Sequence, residues 1–104
     1  LTAEEAVRLA CGGYSAVFEP WGVTGPLCEG NPADVVLVDE SYPQMTPDHN
    51  VQSNLAYAAN GTMVDTVIVN GEILMEGRRV ADESNVIENA RRRAHELVAR
   101  VENA

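Results

Sequence analysis

Apolar and polar positions follow different rhythms along this chain. Toward the C-terminus, Ile87, Ala90, Ala94, Leu97, Val98 and Val101 recur at intervals of three and four. That is the period of one helix face. The spacing predicts a helix from about Asn85 to Glu102, roughly 27 Å long. Glu88–Arg92, Arg92–Glu96 and Glu96–Arg100 fall four apart on its wet side, where opposite charges support a helix. Earlier, Val35-Val36-Leu37-Val38 is an unbroken apolar run of strand length, and Ala33 to Val38 reads as a strand buried on both faces.

Between these lies a hairpin signal. Val64 to Val69 and Glu72 to Glu76 flank Asn70-Gly71, the pair best suited to a tight two-residue turn with positive φ at both positions. A two-residue turn fixes the register. Val69 then faces Glu72, Ile68 faces Ile73, Val67 faces Leu74 and Thr66 faces Met75. Asp65 would face Glu76, a like-charge pair where the hairpin should end or bulge.

The start reads as a helix. Thr2 and Glu5 have the spacing of a capping box, in which each side chain takes the other's backbone amide. Gly12-Gly13 ends the element. Pro20, Gly22, Gly25, Pro26, Gly30 and Pro32 then predict loops and short edge strands over 14–32. Asn50 is a good cap for a short helix over about 51–59, with Leu55, Ala58 and Ala59 on one face. Asn60-Gly61 is expected to stop it in the left-handed conformation.

Composition sets limits. With 104 residues, one domain is the ceiling. Sixteen acidic residues face seven basic ones, all arginine, for a net charge of −9. That balance argues against nucleic acid, which needs basic patches, and against anionic membrane surfaces. It fits either a halophilic or an arginine-biased source. No apolar run nears the roughly 20 residues of a membrane span, and no secretory signal is visible, so a cytoplasmic location is expected. Cys11 and Cys28 are expected to be buried free thiols. An opening Leu1 fits trimming or a fragment.

Candidate chemistry is sparse. His49 sits in a proline-rich loop without a second ligand at useful spacing, and a structural or interface role is expected for it. His95 falls on the polar face of the last helix. Asp34 and Asp39 bracket a strand and read as strand-end caps. Trp21 and Tyr57 read as apolar anchors for a core or an interface. The run Arg91-Arg92-Arg93 is balanced by Glu88, Glu96 and Glu102 and reads as a solvated face.

Several segments carry a resemblance. They are Glu29-Gly30-x-x-Ala33-Asp34-Val35-Val36-Leu37-Val38-Asp39, Thr46-Pro47-x-His49-Asn50-x-x-Ser53-Asn54-Leu55-x-Tyr57-Ala58-Ala59 and Val64-Asp65-Thr66-Val67-Ile68-Val69-Asn70-Gly71. Their order resembles the C-terminal region of metal-dependent amidohydrolases, in the chlorohydrolase and aminohydrolase branch. That branch includes deaminases of S-adenosylhomocysteine, methylthioadenosine and guanine, and triazine hydrolases. Residues 11–26, and Asn31-Pro32 before Ala33-Asp34, depart from the pattern.

The resemblance implies an α+β fold, the C-terminal share of a composite β-sandwich with flanking helices. Residues 1–13 would be the last barrel helix. Residues 14–81 would be the sandwich portion with its helical insert near 51–59, and 82–104 the terminal helix. It implies a parent hydrolase that removes ammonia or chloride from a purine, pyrimidine or triazine-like ring, using water activated by zinc or iron. The family's metal ligands map onto no residue here. The chain alone is expected to be inactive, without catalytic, metal or substrate-binding residues and without a cofactor of its own. His49, Asn54, Tyr57 and Trp21 remain as structural or interface candidates. The expected partner is the missing upstream barrel or a second copy. The alternative is a free-standing, non-enzymatic assembly module that dimerises through exposed strands.

Overall fold

Thr2 begins the first helix as the pattern requires. Its hydroxyl accepts the Glu5 amide at 3.2 Å, and the Glu5 carboxylate accepts the Thr2 amide at 2.7 Å. A computed structural model of the chain describes residues 1–13, 15–22 and 25–103. Helix α1 spans Ala3–Arg8, and a wider turn continues over Leu9–Gly13. Gly12, at φ 93°, breaks it. A Cβ there would lie 2.5 Å from the Gly25 carbonyl carbon, so only glycine permits this close approach.

The expected strands before residue 32 do not form among the described residues. Helix α2 spans Ser15–Phe18, and a 3₁₀ turn covers Glu19–Trp21. Pro20 fits the first turn of a helix, where its missing N–H costs nothing, and left-handed Gly22 closes it. Positions 14, 23 and 24 of the predicted loop lie outside the described residues.

Four strands form one antiparallel sheet in the order β1-β2-β3-β4: Val35–Val38, Val64–Val69, Glu72–Glu76 and Arg79–Val80. Together with the helices this gives an α+β architecture. Asn70 and Gly71 both have positive φ, 51° and 80°, as the predicted turn demands. Asp34 braces that turn. Its carboxylate accepts the Asn70 amide at 2.7 Å, and the neighbouring Ala33 carbonyl accepts the Gly71 amide at 3.0 Å.

The hairpin register holds for Val69–Glu72 and Ile68–Ile73 and then shifts. Val67 pairs with Met75, not Leu74, because Leu74 is an extra residue on β3. The expected Thr66–Met75 pair is lost with it. The shift takes Asp65 away from Glu76, and Glu76 pairs with Arg79 instead. The Asp65 carbonyl accepts the Arg78 amide at 2.9 Å.

Helix α3 spans Val51–Tyr57, capped by Asn50, whose side chain accepts the Ser53 amide at 2.9 Å. It packs against α1. Its end differs from expectation. Asn60 is extended, at φ −141°, because its side chain caps the following Gly61–Met63 turn.

Two methionines rather than β-branched residues reach the deep interior. Met45 and Met63 are buried, joined by Thr66. The expectation of a doubly buried β1 fails. Val36 is 56% exposed and Leu37 50%, so neither face of β1 is fully covered within this chain.

Helix α4, Glu83–Glu102, starts two residues earlier than its pattern predicts. It buries none of its residues. Of the three expected charge pairs, Arg92–Glu96 forms at 2.8 Å, and Arg92 also donates to Asn89.

Candidate functional site

Three local arrangements stand out, and each is built around one polar or apolar anchor. The first is Arg78. Its backbone is left-handed at φ 63°. Its guanidinium donates to the Asp39 carboxylate at 2.5 Å and, through Nε, to the Thr62 carbonyl at 3.2 Å. It also lies 3.6 Å from the Asp65 carboxylate and 5.4 Å from the centre of the Tyr42 ring. One side chain thus ties the β3–β4 turn to the end of β1 and the start of β2.

Asp39 is the acidic partner of this hub. Hydrogen bonds from Ser41, then the Arg78 guanidinium, bring its carboxyl down to about 2. The bond to Asp39 raises Arg78 from its ordinary value. The cluster is open to solvent and fully paired. It has the form of a structural clamp rather than of a poised acid or base.

The second anchor is Asn54, on α3. Its side-chain amide donates to the Met45 carbonyl at 2.8 Å and to the Pro47 carbonyl at 2.9 Å. It therefore fixes the proline-rich loop against the helix. His49 projects from that loop and is exposed. Tyr57, at the end of α3, is 76% exposed, as is Trp21. Neither aromatic is buried within this chain. Trp21 has Phe18 beside it, with ring centres 6.5 Å apart.

The third is an apolar cleft of about 340 Å³ where α1, β1 and α3 meet. Ala6, Val7, Ala10, Val36, Val38 and Leu55 are among its walls. Cys11 also lines it and, like Cys28, is a free and exposed thiol, contrary to the expected burial. Small side chains leave the cleft open, and nothing polar in it is arranged for chemistry.

Among the described residues, no three His, Cys, Asp or Glu side chains converge where a metal ion could be held. The donor set that zinc would require does not fit these residues. No helix is long and apolar enough to cross a membrane. Sequence reasoning missed the Arg78 hub, whose members are spread from Asp39 to Arg78. The local hint was Gly77-Arg78, where the chain turns sharply after β3.

The sheet, its helical insert and the apolar cleft define a class, and comparison with known proteins specifies it. The chain belongs to the amidohydrolase superfamily, and it is similar to part of several deaminases of that superfamily. It is 50% identical over 76 residues to a 5'-deoxyadenosine deaminase of Methanospirillum hungatei, covering 73% of this chain and 17% of that protein. It is 46% identical over 101 residues to 5-methylthioadenosine/S-adenosylhomocysteine deaminase 1 of Archaeoglobus fulgidus, covering 93% of this chain and 23% of the relative. A crystal structure of an adenosine deaminase from Xanthomonas campestris with bound zinc matches 95% of the chain, at a TM-score of 0.82 and 29% identity. The match takes in 23% of that enzyme. The chain thus spans about a fifth of the length of these relatives. No family model matches the sequence.

Proposed function

We propose that this chain is the C-terminal structural portion of a metal-dependent deaminase that releases ammonia from an adenosine derivative. In that enzyme the metal activates the attacking water, and its ligands come from sequence upstream of Leu1. The chain's own contribution is to complete the scaffold. The cleft between α1, β1 and α3 receives apolar side chains from the upstream barrel, and the exposed faces of β1 are covered by neighbouring strands. Taken alone, the chain has no turnover.

One observation carries this reading. The chain exposes 8402 Å², whereas a folded monomer of its 11.2 kDa mass exposes about 5,700 Å². The surplus lies on elements that the comparisons match to a much larger enzyme. The relatives named above act on 5'-deoxyadenosine, methylthioadenosine, S-adenosylhomocysteine and adenosine, which favours an amino-substituted purine nucleoside over a triazine.

Reading the DNA upstream of the Leu1 codon tests it. The expected result is an open frame about three times the chain's length, since the chain spans 23% of the Archaeoglobus relative, and it should encode a His-x-His pair. A start codon at or just before Leu1 would refute the proposal. That outcome would favour a free-standing module that pairs through its open sheet edges, at β1 and β4.

A further inference from the structure

The sequence holds two Asn-Gly pairs, Asn60-Gly61 and Asn70-Gly71. Asparagine is a thermolabile residue, and most of all before glycine, where no side chain shields the next backbone nitrogen. That nitrogen adds to the asparagine Cγ, and the new N–Cγ bond closes a cyclic imide. The Cγ–Nδ2 bond breaks, and Nδ2 leaves as ammonia with the proton of the glycine amide. Water then opens the ring. Opening at Cγ gives aspartate, and opening at the main-chain carbonyl gives isoaspartate. The net reaction consumes one water and exchanges a carboxamide for a carboxylate.

The fold treats the two pairs differently. Ring closure requires the peptide between the two residues to turn until its nitrogen faces Cγ, and that nitrogen must give up its hydrogen. Both steps meet resistance at Asn70. The Gly71 amide donates to the Ala33 carbonyl at 3.0 Å, and the Asn70 amide donates to the Asp34 carboxylate at 2.7 Å. Turning that peptide undoes a left-handed pair, at φ 51° and 80°, that joins β2 to β3 in register. The Asp34 charge also opposes the negative charge that a nitrogen acquires on losing its hydrogen.

Asn60 lacks these restraints. It is exposed, as are Gly61 and Thr62, and its backbone is extended at φ −141°. Gly61 opens the short Gly61–Met63 turn, and its amide has no hydrogen-bond acceptor among the described residues. The Asn60 Oδ1 accepts the Thr62 amide at 3.0 Å and the Thr62 hydroxyl at 2.5 Å. Those bonds hold the oxygen and leave the departing nitrogen free of them. They also point at the atom that takes up charge as the Gly61 nitrogen adds to Cγ. We propose that Asn60-Gly61 is a self-modification site of the folded chain, forming the imide and then aspartate or isoaspartate, while the hairpin protects the same dipeptide at Asn70-Gly71. Conversion adds a carboxylate to a chain already at −9. Isoaspartate also adds a methylene to the main chain between α3 and β2, just before the buried Met63. This inference stands independently of the deaminase reading.

Peptide mapping of the whole chain, after incubation at mildly alkaline pH, tests the proposal. A protease that cuts before aspartate separates the two pairs at Asp65. Aspartate and isoaspartate should accumulate at Asn60 about tenfold faster than at Asn70, the effect of two hydrogen bonds that only Asn70-Gly71 must break. In urea the two rates should converge. Gly61→Ala should sharply slow the reaction at Asn60 with the circular dichroism intact, because Gly61 is not left-handed and a Cβ there meets nothing within 4 Å. Equal rates at the two pairs in the folded chain overturn the proposal, as does a faster reaction at Asn70. A rate ratio that urea leaves unchanged also overturns it, since the fold would then not be its cause. So does an Asn60 that reacts in urea and not in the folded chain.

Discussion

Asp39 and Asn54 each decide the path of a loop, and each does so by hydrogen bonding. The folded state holds Asp39 at about 2, below its ordinary 3.8. A carboxyl lowered by folding stabilises the fold once the unfolded chain is ionised, and that contribution is lost as pH falls through the folded value. The urea midpoint should therefore fall between about pH 4 and pH 2. Asp39→Asn should flatten that part of the profile, and an unchanged acid limb would contradict the clamp. Asn54 makes a different case, because it is partly buried and donates twice. Asn54→Leu removes both bonds, leaves the carbonyl of buried Met45 without this donor and should cost about 1–3 kcal/mol, read from urea unfolding.

At the scale of elements, α1 depends on its two ends. Gly12→Ala would force a Cβ into the backbone at Gly25 and Pro26 while holding a left-handed φ. The left-handed backbone alone costs about 1–2 kcal/mol, and the clash adds to it, so a clear drop in the denaturant midpoint is expected. Elements specified by neighbouring residues were legible in the sequence. Thr2 with Glu5, Asn50 with Ser53, the Asn70-Gly71 turn and the α4 stripe all depend on contacts within a few positions. The errors arose where distant residues decide. Leu74 drops out of the ladder where the Asp65 carbonyl accepts the Arg78 amide, a contact between residues far apart in sequence. Asn60 was expected to end a helix, but it caps the next turn. β1 has the composition of a strand covered on both faces, and its exposure here is what the proposed upstream partners would remove. The same cause hid the site. In the proposed longer enzyme a share of the core looks like surface in this chain, so Val36, Leu37 and the cleft beside α1 are recognisable only in three dimensions.

For the whole molecule, the proposed scaffold role rests on surplus surface and on the chain's partial coverage of its relatives. The described residues offer packing surfaces and a clamp, and they offer no convergent metal donors. Ammonia release from 5'-deoxyadenosine, with zinc supplied, is the most direct measurement of this account. The purified 104-residue chain should release none above the uncatalysed rate, and the longer product of the upstream open frame should turn over. Zinc-dependent turnover by the 104 residues alone would contradict the assignment of the chemistry to sequence outside them.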